Sequence, residues 1–296
     1  MTTVDQGYDR GAVNCGRRFG DACNAAYDLL SRLEPGLCVD VGATIGRTAQ
    51  RMLDANPASR VVAYEPFGGN LPYFSDHLAG DVRVTLRPVA VADRAGAERF
   101  TVPGVVRPGE TGWAKDLLGY SSLGHLARGG ETSGDLVDVV TLDDEIVEPV
   151  RFLKIDVQGG ELRVLNGASR LLREGVVDLI YVEFNGSLEV LKALRAYGYV
   201  MFDCAYMAWP TRRNLRNWLR PRADWVLPSW PVIARGVMSM GSRVEHMWPP
   251  VPIRAFAPYC AWFFANRLLR CGLQTDLLCV REDFLPTLWR AMAQGG

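Results

Sequence analysis

Four acids and a glycine pair hold the residue types and spacing for ligand chemistry. Asp40 stands directly before Val41-Gly42-Ala43-Thr44-Ile45-Gly46, Glu65 follows at the end of Arg60–Tyr64, and Asp156 and Glu183 each close an apolar run. Glycines at both ends of a turn permit positive φ and close backbone approach to a ligand. The free N–H groups of the helix that follows would face that ligand. The distance from the turn to Glu65 fits a βαβ unit, with Glu65 placed to bind the two hydroxyls of a ribose. A dinucleotide fingerprint needs G-x-G-x-x-G, whereas this turn has only Gly42 and Gly46. Asp40 would repel a pyrophosphate and suits a ligand with a positive charge. S-Adenosylmethionine has a sulfonium, an ammonium and no phosphate. The alternative is a plain βα turn in which Asp40 is a capping acid.

Around these residues the chain alternates apolar strand-like runs with helical patterns. Leu37–Val41, Arg60–Tyr64, Val82–Val91, Leu136–Leu142, Phe152–Asp156, Val176–Phe184 and Tyr199–Cys204 read as strands, and Glu98–Val102 as a short returning strand. Pro88 marks an interruption in the third. Helices are expected at Asp21–Leu33, after Gly46, at Leu71–Leu78, Leu162–Arg173 and Leu188–Tyr197. Alternation of this kind predicts an α/β fold with a mostly parallel sheet covered on both faces. Residues 103–134, rich in Gly and Ser, read as a long functional loop carrying Ser121, Ser122 and His125.

The alternation stops at residue 204. Residues 205–258 hold eight of the seventeen prolines and five of the eight tryptophans, interleaved with arginines. It resumes with a helix near Ala261–Arg270, a strand Asp276–Val280 and a last helix Phe284–Ala293. The expected organisation is a lead-in and helix (1–36), a core (37–204), an insertion (205–258) and a C-terminal completion of the core (259–296). The insertion is expected to be a lid over the strand ends or the interface of a homo-oligomer. Aromatics interleaved with Arg also suit nucleic acid, but a formal net charge of zero argues against that partner.

Composition is that of a globular protein, 48% hydrophobic and 22% charged. The polar N-terminus lacks an apolar signal core, and no apolar run reaches membrane-span length. Seven scattered cysteines without a C-x-x-C pair fit a reducing cytoplasm. His77, His125 and His246 are isolated and make no metal spacing, so no metal is expected.

Five motifs, in order, resemble the FkbM-type methyltransferases. They are Asp40–Gly46, Tyr64-Glu65-Pro66, Ala90-Val91-Ala92-Asp93, Thr141-Leu142-Asp143-Asp144 and Leu153-Lys154-Ile155-Asp156-Val157-Gln158-Gly159-Gly160-Glu161-Leu162. The resemblance runs from Leu37 to Cys204, with Asp276–Arg281 similar to the closing strand. It implies a class I, Rossmann-like fold of seven strands, the last antiparallel. It also implies S-adenosylmethionine as methyl donor and O-methylation of a sugar or natural-product hydroxyl. Thr44, Gln158 and Gly160 stand where the family usually has Asn, Glu and Ala. Gln158 removes a charge beside Asp156 and argues against a metal site there.

On this reading Asp40 lies near the methionine ammonium, and Gly42, Ala43 and Gly46 shape the turn. Thr44 binds the methionine carboxylate or caps the helix. Glu65 holds the ribose, Pro66 packs on the adenine, and Val91 and Asp93 border it. Ser122 touches cofactor or substrate. Asp156 is the first candidate for catalytic base or acceptor anchor, Glu183 the second, and His125 a loop base closing over the site. Glu161 reads as a first-turn helix acid. A nicotinamide oxidoreductase and a non-catalytic S-adenosylmethionine-binding module are the rival readings.

Overall fold

The computed structural model describes residues 26–78, 80–102, 123–129, 131–204, 253–257, 259–261, 263 and 275–293. Ser121, Ser122, residues 205–252 and the expected helix residues 264–270 lie outside the described residues. The chain divides into two compact units, residues 34–183 and residues 1–33 with 184–296.

The first unit is built on parallel strands. β1 (Leu37–Val41), β2 (Arg60–Tyr64), β3 (Val84–Arg87), β8 (Val150–Ile155) and β9 (Val177–Phe184) lie in the order β9-β8-β1-β2-β3. Each neighbouring pair among them is parallel. All five residues of β1 are buried, as suits a central strand with parallel neighbours on both sides. Helix α1 (Arg47–Ala55) makes the crossover from β1 to β2 and buries Ala49, Met52 and Leu53, one helical face; α2 (Leu71–Leu78) and α3 (Leu142–Glu145) follow in the chain. The register sets Asp40 opposite Ala63 on one side and Lys154 on the other.

A second, four-stranded sheet belongs to the same unit. It contains β4 (Ala90–Val91), β5 (Gly96–Thr101), β6 (His125–Leu126) and β7 (Asp135–Val140), in the order β4-β7-β5-β6. Two sequence expectations change here. The run Val82–Val91 is two strands in two sheets, separated at Pro88-Val89, and Val82 is exposed. Proline has no N–H to give a ladder, so the chain leaves the first sheet there. The stretch read as a long loop contributes strand β6, with Thr101 opposite His125.

Two short helices, α4 (Glu161–Asn166) and α5 (Ser169–Arg173), stand in place of the single helix expected over Leu162–Arg173. At Gly167 between them, an added Cβ would overlap the carbonyl oxygen of Ala92. Close backbone approach, not propensity, divides the helix.

In the second unit β10 (Tyr199–Asp203) and β11 (Thr275–Arg281) pair antiparallel. Helix α6 (Leu188–Ala196) begins at Ser187, whose side chain accepts the Val190 N–H. Phe184 packs on the rings of Tyr259 and Phe263. Among the described residues, no helix is long and apolar enough to cross a membrane.

Candidate functional site

A cavity of about 220 Å³ opens at the carboxyl ends of β1, β2 and β8 and is walled on another side by the small sheet. Gly42, Thr44, Glu65, Pro66, Val91, His125 and Asp156 line it. Asp40, Ala43, Gly46, Asp93 and Glu183 are not among its lining residues. Ser122 lies outside the described residues.

The turn after β1 is held in left-handed backbone. Gly42, Thr44 and Gly46 have φ of 81°, 55° and 83°. For Thr44 this costs roughly 1–2 kcal/mol, offset by two bonds. Its N–H donates to Glu65 Oε2 at 2.8 Å, and its hydroxyl donates to the Gly42 carbonyl at 3.3 Å. Thr44 does not cap α1, whose N-cap is Gly46 without a side-chain bond. The N–H groups of Gly42 and Ala43 both reach the Tyr64 carbonyl at 3.0 Å, fastening the turn to β2.

Glu65 is 4% exposed yet lines the cavity. Its Oε1 accepts the Phe67 N–H at 2.8 Å while Oε2 accepts that of Thr44. Burial pushes its carboxyl up to about 7, against the lowering effects of the Phe67 and Thr44 N–H groups, Asn70 and Lys154. With the Phe67 and Thr44 N–H groups and the Asn70 side chain as partners, the carboxylate still keeps lone-pair capacity for a ligand hydroxyl.

Asp40 occupies a different place from the one its sequence position suggests. It is fully buried, accepts the Thr48 hydroxyl, and pairs with Lys154 Nζ at 3.2 Å. The carboxylate expected beside a ligand ammonium faces an internal lysine. Lys154 also donates to the Gly42 carbonyl at 2.7 Å and lies 3.7 Å from Asp156 Oδ2. Burial works against its charge, but Asp40, Asp156 and Glu65 outweigh that and hold the ammonium above its usual value. Sequence reasoning gave Lys154 no role. Its signal was a lone lysine inside the apolar run Phe152–Ile155, in a chain with three lysines in all.

Asp156 follows β8 with its side chain 34% exposed. Its N–H donates to the Val41 carbonyl at 3.0 Å, and its Oδ1 accepts Gln158 Nε2 at 2.9 Å. The same amide donates to Glu183 Oε2 at 3.0 Å. Glu161 opens α4, as read from sequence, but it is buried there and accepts the Gly159 N–H at 2.7 Å. Burial raises its carboxyl above the usual range.

The small sheet supplies the remaining polar wall. Arg163 donates to Asp93 at 2.7 Å and bidentately to Glu98 at 2.6 and 2.9 Å. Asp93, read as an adenine neighbour, thus fixes an arginine that lines the cavity. His125 lines it from β6, with Nδ1 3.2 Å from the Leu123 carbonyl and Nε2 3.3 Å from Glu131 Oε2. Arg128 donates to the Gln158 carbonyl.

Similar solved structures include methyltransferase FkbM from Methylobacillus flagellatus KT, at 22% identity and TM-score 0.40, covering 58% of this chain and 41% of that one. The chain thus spans about two-fifths of that protein's length. Another is precorrin-6y C5,15-methyltransferase from Geobacter metallireducens GS-15, at 16% identity and TM-score 0.35, with 61% and 72% covered. A third is the StiE O-MT, residues 942–1257, at 11% identity and TM-score 0.37, with 90% and 74% covered. No curated protein matches. The family model described as methyltransferase FkbM domain matches residues 40–201, more than half of the sequence and the span that builds the turn, Glu65 and Asp156. The chain belongs to the FkbM methyltransferase family.

Proposed function

We propose that the chain transfers a methyl group from S-adenosylmethionine to a hydroxyl of a small natural-product or sugar-type acceptor. Glu65 carries the reading. It is a buried carboxylate at a strand end, it lines the cavity, and backbone N–H groups orient both its oxygens. Such a group accepts hydrogen bonds from the two vicinal hydroxyls of a ribose.

The charges of the site favour this donor over a dinucleotide. The acids Glu65 and Asp156 line the cavity, and the guanidiniums on its wall are turned to protein acceptors, Arg163 to Asp93 and Glu98 and Arg128 to Gln158. A pyrophosphate would meet acids, whereas a sulfonium and an ammonium would be attracted. When bound, S-adenosylmethionine supplies a methyl group activated by positive sulfur.

The rest of the chemistry belongs to the chain. Glu65 orients the ribose, and Pro66 and Val91 offer an apolar wall to the base. The turn at Gly42 lets the backbone approach closely. A carboxylate oxygen of Asp156 takes the acceptor's hydroxyl proton as the new bond forms, a contribution of roughly 10²- to 10⁴-fold. Asp156 suits this role better than His125, because both ring nitrogens of His125 already have protein partners. Glu183, bonded to the same amide, supports Asp156 from behind the lining.

Calorimetric titration with S-adenosylhomocysteine and with NAD tests the donor. The native chain is expected to bind S-adenosylhomocysteine and not NAD. Glu65→Ala is expected to weaken binding about 100-fold, the loss of two hydrogen bonds to a charged group. Binding of NAD alone, or unchanged affinity in Glu65→Ala, would overturn the reading.

A further inference from the structure

The register of β8 and β9 brings two carboxylates together, and one amide bridges them. Ile155 lies opposite Val182, so the next residues, Asp156 just past β8 and Glu183 one residue before the end of β9, come at the same end of neighbouring parallel strands. Like charges placed side by side repel, and the usual remedies are a shared proton or a cation. Here the side-chain nitrogen of Gln158 stands 2.9 Å from Asp156 Oδ1 and 3.0 Å from Glu183 Oε2. A primary amide has two N–H hydrogens, and two carboxylates are its two acceptors.

Gln158 is itself fixed from its backbone. It has φ of 56°, a left-handed conformation that side-chain-bearing residues seldom adopt. Its carbonyl accepts from Arg128, which reaches across from the small sheet. Gly159 follows at φ 100°. The amide is therefore delivered to the two carboxylates by a backbone held at a second point.

We infer that Gln158 is a positioning residue whose amide takes the place of a bridging cation, gathering Asp156 and Glu183 into one pair and turning Asp156 toward the cavity. The assignment of Asp156 as proton acceptor rests on the function proposed above; the gathering of the two carboxylates by Gln158 does not. With Lys154 Nζ 3.7 Å from its other oxygen, Asp156 is restrained at both oxygens and remains partly exposed. Among the described residues no group of three His, Cys, Asp or Glu side chains converges on one point. Gln158 is the neutral third member that keeps this cluster at two carboxylates.

The prediction is read with Mn²⁺ alone, by electron paramagnetic resonance on the full chain without any donor or acceptor. Gln158→Glu converts the amide into a third carboxylate at the meeting point. It is expected to bind Mn²⁺ at least about tenfold more tightly than the native chain, since carboxylate number sets affinity for hard cations. Gln158→Ala opens the same spot without adding a ligand and is expected to gain less, about threefold. S-Adenosylhomocysteine titration on all three proteins is expected to give one common affinity, because Gln158 does not hold the donor. No gain of Mn²⁺ in either variant, with S-adenosylhomocysteine still bound, overturns the inference. Failure of all three proteins to bind S-adenosylhomocysteine would sink the proposed donor, while the Mn²⁺ comparison would still decide the role of Gln158.

Discussion

Gly42 and Asp156 meet backbone to backbone: a Cβ on Gly42 would overlap the carbonyl oxygen of Asp156. The turn that shapes the donor side of the cavity and the strand end that carries the candidate base are thereby held together. A residue with a side chain at position 42 would have to push β1 and β8 apart at the point where both face the cavity. Gly42 also has positive φ, so conformation and space exclude other residues there independently.

Gly42→Ala is therefore expected to be among the most damaging single-methyl changes in the chain. Positive φ for Ala costs roughly 1–2 kcal/mol, and forced overlap in a packed region adds roughly 1–3 kcal/mol. Urea unfolding should show the loss, and calorimetry should show S-adenosylhomocysteine binding abolished. At Gly46 the added Cβ would meet the side-chain ends of Leu78 and Phe74 at 2.8 and 3.0 Å, and these can move. Gly46→Ala should therefore cost less. Equal losses at both positions would count against the backbone contact as the cause.

Lys154 and Asp40 form a buried pair, 3% and 0% exposed in their side chains. Lys154→Met leaves Asp40 charged and without its counterion, a change that typically costs roughly 3–5 kcal/mol. The double variant Lys154→Met/Asp40→Leu removes both charges and should recover most of that loss. Urea denaturation of the two variants gives the comparison. A double variant as unstable as the single one would mean that Lys154 acts through its bond to the Gly42 carbonyl instead.

The parts of the site that sequence made legible are those with local signals. β1 and β8 read as apolar runs because parallel strands buried on both faces carry no alternation. Gly42, Gly46, Glu65 and Asp156 punctuate those runs. The rest depends on register and on close approach. Asp40 looked like a ligand acid because nothing near it in sequence shows that Lys154 lies opposite on β8. The strands β5 and β7 of the small sheet are legible as runs, but the two-residue strands at Ala90 and His125 are too short to show a period, so their grouping into a second sheet is not. The break between α4 and α5 comes from the Ala92 carbonyl, 75 residues before Gly167 in the chain.

Glu65 makes stability and donor binding respond oppositely to pH. Its folded-state value near 7 lies above its ordinary 4.5. The folded chain thus holds this proton more tightly than the unfolded chain. The stability it contributes is fully present below 4.5 and is lost as pH rises toward and through about 7. The difference amounts to roughly 3 kcal/mol. Glu65→Gln should match the native chain near pH 4 and exceed it at pH 8 in chemical denaturation. S-Adenosylhomocysteine affinity should run the other way, rising with pH through about 7 as the carboxylate forms, and should be weak and flat in Glu65→Gln. A native stability difference from Glu65→Gln that does not change with pH would place the titration elsewhere.

Asp156→Asn tests the proton step. The amide keeps the shape of the side chain but cannot take a proton, so turnover should fall roughly 10²- to 10⁴-fold. Donor affinity should fall far less than turnover, because Glu65 and the turn are intact. The assay follows transfer of labelled methyl to a panel of hydroxylated small molecules, using whichever acceptor the native chain methylates. Glu183→Gln should lower turnover less, since Glu183 is not among the lining residues and acts through Gln158. His125→Ala should chiefly raise the acceptor KM, because His125 lines the same cavity as Asp156. If His125→Ala abolished turnover while Asp156→Asn retained it, the base would lie on β6, and Asp156 would be left with the fastening of β8 to β1 through its bond to the Val41 carbonyl.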